Sequence, residues 1–206
     1  MTSTLAVVTA GLSEPSSTRL LADRLTGAVT AQLRSAGHDV LVEVVELRPL
    51  AHALADNMLT GFPSGALSDA ISTVTRADAL VAVTPIFSAS YSGLFKTFFD
   101  VLEPSALEGK PTLIAATAGT PRHSLALEHA VRPLFTYLHA VVVPTGVFAA
   151  TEDFADRRFA ERVEQAAGEL VSLLAPRSGA ASRPAPASSA DPFEDVTPFD
   201  QLLNGR

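Results

Sequence analysis

ALVAVTPIFSASYSGLFK, residues Ala79 to Lys96, is the stretch that decides the fold. An apolar, β-branched run over Leu80 to Val83 breaks at Thr84-Pro85, and small and hydroxyl residues lead to an amphipathic segment that begins near Ser92. The order is strand, loop, helix. Pro85 has no N–H to donate and biases Thr84 away from the α region, so the strand is expected to end there and expose a loop. In an open parallel sheet, ligands bind in the loops at the carboxyl ends of the strands.

The same alternation extends to either side. Leu5 to Thr9 is a short strand without polar alternation, as expected when both faces are buried. Ala10 to Thr18 is rich in turn and cap residues. A helix then runs to about Ala36, with Leu21, Leu25, Val29 and Leu33 spaced by four and Gly37 as its stop. Val40 to Val45 predicts a second strand, mixed enough in polarity for a sheet edge. Glu46 to Ser64 has no clear period and predicts a loop with room for one helical turn, a length that points to function or an interface.

A helix over Ala66 to Arg76 leads into the focal strand and another runs from Ser92 to about Leu102. Pro104 to Pro111 is a connector. Leu113 to Thr117 predicts a fourth strand, ending in Ala118-Gly119-Thr120-Pro121. A helix over Ser124 to Leu138 places Leu127, Val131, Leu134 and Leu138 on one stripe, with a kink at Pro133. A fifth strand follows at Ala140 to Val143, resuming at Val147, and a last helix carries Phe159, Val163, Ala166, Leu170 and Leu173.

Five strands alternating with helices predict a three-layer α/β sandwich on a five-stranded parallel sheet, over residues 1–175. Residues 176–191 are rich in Ser, Ala and Pro and predict a flexible linker. Residues 192–206 turn apolar again at Phe193, Phe199, Leu202 and Leu203. They read either as a docking tail or as a terminus with incidental apolar residues.

Composition narrows the function. The chain has 206 residues, enough for one well-buried domain, and 47% of them are apolar. It contains no cysteine, which excludes disulfides, thiol chemistry and cysteine-ligated metals. A net charge of −7 without a basic cluster argues against nucleic acid as a partner. The N-terminus lacks the basic region of a signal peptide, and no apolar run reaches the roughly 18–20 residues of a membrane span. A cytoplasmic protein without a membrane partner is the expectation.

The first loop sets Ser13, Ser16, Ser17 and Thr18 at the start of a helix. Open backbone N–H groups and the helix dipole favour an anion there, and hydroxyls add donors without charge, which suits a phosphomonoester. Ser16 or Ser17 acting only as an N-cap is the plainer alternative. The dinucleotide and NTP glycine motifs are absent, and Ser90-Tyr91-Ser92-Gly93 is out of frame for a nucleophile elbow. The five histidines show no close metal-ligand spacing. Arg122 and His123 follow the fourth strand, either as cationic partners for a ligand phosphate or as ordinary loop residues.

Three loops thus offer a phosphate cradle, a wall of Pro85, Ile86 and Phe87, and a small-residue turn over Thr117 to Thr120. A flat ring with a phosphate tail suits them. In the strand order 2-1-3-4-5, flavin mononucleotide (FMN) sits where the order reverses, between strands one and three.

Three segments carry a resemblance: Gly11 to Arg19, Thr84-Pro85-Ile86-Phe87-Ser88-Ala89-Ser90-Tyr91-Ser92-Gly93-Leu94-Phe95-Lys96, and Ala116 to Thr120. The chain resembles the NAD(P)H-dependent FMN reductases of flavodoxin-like fold from about Leu5 to Leu174. Within them it is similar to the reductases that supply reduced flavin to two-component, luciferase-like or sulfonate monooxygenases, and its tail resembles an actinobacterial branch. The resemblance implies FMN-phosphate contacts at Ser13, Ser16, Ser17 and Thr18. It implies ring contacts at Pro85, Ile86, Phe87 and Ser88, with Thr117, Ala118, Gly119 and Thr120 at the ring's other edge; many relatives have glycine in place of Ala118.

It also implies a π-bulge at Tyr91, a homodimer or homotetramer, and a partner flavin-dependent monooxygenase. Hydride would pass from nicotinamide C4 to flavin N5, so no side chain need act as catalytic acid or base. NADH and NADPH stay open. So do two other functions on the same fold: a flavodoxin-like electron carrier, and a quinone, azo or metal-ion reductase.

Overall fold

The computed structural model describes residues 2–174, so the linker and tail expected over 176–206 lie outside the described residues. In chain order the elements are β1 (Thr2–Thr9), α1 (Ser17–Ser35), β2 (Asp39–Glu46), α2 (Ala51–Thr60), α3 (Ala66–Arg76), β3 (Ala79–Phe87) and β4 (Ser90–Tyr91). Then come α4 (Gly93–Asp100), β5 (Pro111–Ala118), a π-helical segment (Leu127–Val131), α5 (Arg132–Tyr137), β6 (Val141–Val142), β7 (Val147–Ala150) and α6 (Arg157–Leu174).

The sheet runs β2-β1-β3-β5-β6, with β4 beside β3 and β7 beside β5. It has seven strands, which corrects the expected five. Two features account for the difference. β6 pairs with the start of β5, Pro111↔Val141, and β7 with its end, Ala115↔Val147 to Ala118↔Ala150, so both strands lie along one side of β5. Pro144 lies in the gap between them, where a residue without an N–H interrupts pairing. The added β4 is antiparallel, Ile86↔Tyr91 and Phe87↔Ser90, whereas the other pairings are parallel.

Alternate strand residues feed two apolar layers. Leu5, Val7, Val81, Val83, Leu113 and Ala115 pack under α1 and α6, with Leu21, Leu25, Phe159 and Val163. Ala6, Val8, Leu80, Ala82, Ile114 and Ala116 face the other way, onto Leu54, Leu67, Val74, Phe95, Phe99 and Phe135. Helices therefore cover both faces, and β1, β3 and β5 read as continuous apolar runs because neither face meets water. The edge strand β2 alternates exposed and covered residues over most of its length.

Three expectations need correction. β3 does not stop at Thr84; it continues to Phe87, and Pro85 pairs with Thr117 of β5. Ala10 N–H bonds Val83 O, so Val83 faces β1 and Pro85, two residues on, faces the same side after β1 has ended. Its missing N–H therefore removes no ladder bond.

The stretch Glu46 to Ser64 contains a short 3₁₀ turn at Arg48–Leu50 and the whole of α2. Its period was hidden because α2 buries only Leu54 and the polar Asn57, while Met58 and Leu59 on it and Phe62 just beyond it are exposed. Tyr91 lies in β4, before Ser92 caps a regular α4, so no π-bulge forms there. The π turn is at Leu127–Val131, where the kink at Pro133 was expected nearby. A proline in the first turn of α5 lacks the N–H that would continue the ladder, and the chain widens ahead of it.

Among the described residues, no helix is long and apolar enough to cross a membrane.

Candidate functional site

The carboxyl ends of β1, β3 and β5 are tied together by the sheet itself, with Thr9↔Val83 and Pro85↔Thr117 in register. Ser13, Ser16, Ser17 and Thr18 emerge from β1, Pro85 to Ser88 close β3, and Thr117 to Thr120 close β5. All twelve residues singled out from the sequence therefore lie at one edge of the sheet.

The first loop is compact because Gly11 has no side chain. A Cβ on Gly11 would sit 2.0 Å from Ser16 Oγ and 3.2 Å from Thr18 Cβ. Ser16 is the N-cap of α1, its Oγ accepting the N–H of Arg19 at 3.2 Å. The N–H groups of Ser17 and Thr18 have no hydrogen-bond partner among the described residues, which leaves two donors at the positive end of a nineteen-residue helix. Ser13 and Ser17 are exposed. Thr18 is not: it is 2% exposed, and its Oγ1 lies 2.9 Å from Thr117 Oγ1. Two residues expected to face a ligand from different loops thus hydrogen-bond to each other and fix the first loop against the third.

The second loop is a two-residue hairpin turn. Ser88 and Ala89 both have positive φ, 50° and 66°, the pattern of the hairpin turn that normally takes Asn-Gly. Each non-glycine residue held there is strained, and such strain gathers at functional sites. The turn leaves Phe87 48% exposed, with Leu12 of the first loop also exposed. Beneath it, Thr84 Oγ1 donates to Pro85 O at 2.9 Å and accepts the N–H of Ser92 at 3.1 Å. Ser92 Oγ in turn caps α4 through the N–H of Phe95. Thr84 and Ser92 are positioning residues that the sequence reading left out, although both lie inside its most distinctive motif.

In the third loop Ala118 is half-buried, and Gly119 and Thr120 are exposed. A Cβ on Gly119 would meet nothing within 4 Å, so open space lies over this turn. Arg122 and His123 follow in an exposed 3₁₀ turn, Pro121–His123. The groups with displaced pKa values lie elsewhere. Burial lowers Lys110, at the opposite end of β5, against a raising influence from Asp78. Glu128 is held below the ordinary carboxylate range chiefly by its hydrogen bond to Arg132. Burial pushes Glu169 up, but Thr145 and Gln165 hold it below the ordinary value.

Open N–H groups and hydroxyls at one end, and exposed apolar surface beside small residues at the other, suit a phosphate joined to a flat ring.

Comparison with known proteins supports the same chemistry. Residues 3–155 match the family model described as NADPH-dependent FMN reductase. The chain is 38% identical over 170 residues to the NADH-dependent FMN reductase SfnE of Pseudomonas putida, covering 80% of this chain and 88% of that one. An oxidoreductase structure from Corynebacterium diphtheriae superposes with a TM-score of 0.82 at 52% identity, over 84% of this chain and 97% of that chain. A WrbA-like flavodoxin from Agrobacterium tumefaciens shares the fold, with a TM-score of 0.57 at 15% identity, over 84% and 97%. With three loops gathered at the switch point of a flavodoxin-like sheet, the chain belongs to the NADPH-dependent FMN reductase family and is an NAD(P)H:FMN oxidoreductase.

Proposed function

We propose that the chain reduces FMN as a diffusible substrate and supplies reduced FMN to a partner flavin-dependent monooxygenase. The carrying observation is the open second loop, where Phe87 is 48% exposed, with Leu12 of the first loop also exposed, in a chain without tryptophan. A platform open on this side favours exchange over permanent retention.

On this reading the FMN phosphate is held by the N–H groups of Ser17 and Thr18 and by the hydroxyls of Ser13 and Ser17, with Ser16 and Thr18 shaping the loop. Pro85, Ile86, Phe87 and Ser88 bear on one edge of the ring, and Thr117, Ala118, Gly119 and Thr120 on the other. The bound coenzymes supply the hydride chemistry, so the protein's part is orientation and anchorage. Arg122 and His123, in the exposed turn after β5, are the cations this reading offers to a coenzyme 2′-phosphate. Met58 and Leu59 at the end of α2 and Phe62 just beyond it are each exposed, and support assembly with a second copy.

The test is the loss of absorbance at 340 nm from NADH or NADPH, with and without added FMN. Oxidation that saturates with added FMN, followed by recovery of reduced flavin in an anaerobic filtrate, is expected. Flavin retained through purification, with no response to added FMN, refutes the proposal.

A further inference from the structure

A cavity of about 270 Å³ opens beyond the third loop, where the Pro121–His123 turn meets the start of α6. Pro121 and Ser124, which flank Arg122 and His123, line it together with Asp153, Asp156, Arg158 and Arg162. Pro121 follows Thr120 directly, and Ala118 is in register with Ala150 at the end of β7, just before the Asp153 turn. The cavity therefore adjoins the small-residue edge of the site.

The cations of this cavity stand where the fold has no use for them. α6 begins Arg157-Arg158 and has no acidic residue in its first turn, and a cation there opposes the helix dipole. Arg157 is offset by Glu161 at 2.9 Å. Arg158 and Arg162 have no carboxylate partner among the described residues. Arg34 and Arg76 are likewise unpaired among the described residues, but they lie in the last turns of α1 and α3, where a cation offsets the dipole. The two carboxylates of the lining serve the backbone: Asp153 accepts the N–H of Ala150 at 2.7 Å, and Asp156 that of Arg158 at 2.9 Å. Two guanidinium groups are left open to the cavity.

We propose that this cavity holds the 2′-phosphate of NADPH, and that Arg158 and Arg162 thereby make NADPH the preferred coenzyme. The proposal deepens the coenzyme reading given above and rests on it, adding two cations from α6 to Arg122 and His123. The 2′-phosphate is the group by which the two coenzymes differ, and guanidinium forks match its oxygens. The volume lies just under the roughly 300–1,000 Å³ of sites that enclose a whole small molecule, and suits one end of a long coenzyme. Phe148, half-buried and also in the lining, gives the adenine an apolar neighbour. Asp153 and Asp156 sharpen the choice. Without the arginines, the charged lining is two carboxylates, which repel a phosphate and accept from a ribose hydroxyl.

kcat/KM for NADPH and for NADH is measured with saturating FMN for the wild type, Arg158→Ala, Arg162→Ala, the double variant and Arg162→Lys. Both arginines are exposed, and thermal melts confirm folding. The wild type is expected to favour NADPH, and each alanine variant to lose about tenfold in kcat/KM for NADPH through KM, as for a lost hydrogen bond to a charged group. Arg162→Lys keeps part of the preference, and the NADH values stay within about twofold. Adenosine 2′,5′-bisphosphate should inhibit the wild type more tightly than adenosine 5′-monophosphate, and the double variant should close that gap. A wild type that favours NADH, or alanine variants that change neither coenzyme, overturns the proposal. Equal losses for both coenzymes overturn it by assigning the arginines to the shared diphosphate, and a rise in the FMN KM alone assigns them to the flavin. Loss of the preference in Arg122→Ala or His123→Ala but not in the α6 variants defeats this proposal and leaves the coenzyme reading standing. A wild type that oxidises neither coenzyme with added FMN defeats the reading beneath both.

Discussion

Gly11→Ala concentrates the strain of the first loop into a single methyl group. That methyl would lie 2.0 Å from Ser16 Oγ, far inside van der Waals contact, and 3.1 Å from Ser16 Cβ and 3.2 Å from Thr18 Cβ. Ser16 Oγ has to leave, and with it goes the cap on Arg19 N–H, worth about 1 kcal/mol. The two carbon contacts remain tight, and overpacking of this kind adds roughly 1–3 kcal/mol. A total loss of about 2–4 kcal/mol corresponds to a fall in Tm of roughly 4–16 °C for a domain of this size. The FMN KM should rise at least tenfold if the loop holds the phosphate, because donors to a charged group are displaced. Ser16→Ala removes the cap without the clash and should lose only about 1 kcal/mol. The double variant relieves the shortest contact, so its loss should be smaller than the sum of the two single losses. Thermal melts and FMN titrations on the three variants measure both effects. Strict additivity, or a Gly11→Ala protein with the wild-type Tm, would refute the steric account.

Ala89→Gly should stabilise the protein by about 0.5–1 kcal/mol, since relief at φ 66° outweighs the added freedom of the unfolded chain. Ala89→Val should do the opposite in the same thermal melts. Thr84→Val leaves the buried N–H of Ser92 without its acceptor and should cost about 1–3 kcal/mol, read as a lower urea midpoint at unchanged slope, while Thr84→Ser recovers most of it. Lys110 donates to the carbonyls of Thr75 and Ala77, and burial lowers its pKa. The unfolded chain therefore holds the proton more tightly, and the contribution of Lys110 to stability should rise as pH climbs through the lowered value, levelling off above the ordinary lysine value of about 10.4. Lys110→Met should flatten that alkaline rise in urea midpoints. Glu169 is the converse: its pKa is depressed, so its contribution is complete above the ordinary carboxylate value of about 4.3 and should vanish as pH falls through the folded value. Glu169→Gln should reduce the acid sensitivity of the same midpoints.

The parts of the fold that were legible are those where burial acts on both faces of a strand. Leu5 to Thr9, Leu80 to Val83 and Leu113 to Thr117 carry no alternation because helices cover both sides, and runs of that kind separated by helical stripes specify a doubly wound sheet. α2 was hidden for the opposite reason. It buries a narrow stripe that includes Asn57, while Met58 and Leu59 on it and Phe62 just beyond it are exposed, so hydrophobicity does not mark its inner face. β4 is two residues long, and its pairing depends on a turn at Ser88 and Ala89, residues with no strong preference for positive φ. The end of β3 was misplaced because the cost of proline in a strand depends on whether a neighbour needs its N–H. Where β1 stops cannot be read from the sequence of β3.

The site was legible as a set of loops and illegible as a division of labour. Four hydroxyls within six residues suggested four phosphate donors, but a hydroxyl can serve the fold as readily as a ligand. Ser16 caps α1, and Thr18 reaches Thr117, ninety-nine residues away. Sequence separation hid that pairing, since no local pattern links the start of α1 to the end of β5. Ser13 and Ser17 keep hydroxyls without partners among the described residues, beside the free N–H groups of Ser17 and Thr18. Arg19, the first cation of the helix, is held by Asp23 and Glu46. On the proposed reading, the phosphate then meets backbone donors and two neutral hydroxyls but no unpaired cation in the loop. Neutral donors bind a phosphate less tightly than a guanidinium fork does. On that reading, a cradle so composed favours release, as the proposed hand-over of reduced flavin would require.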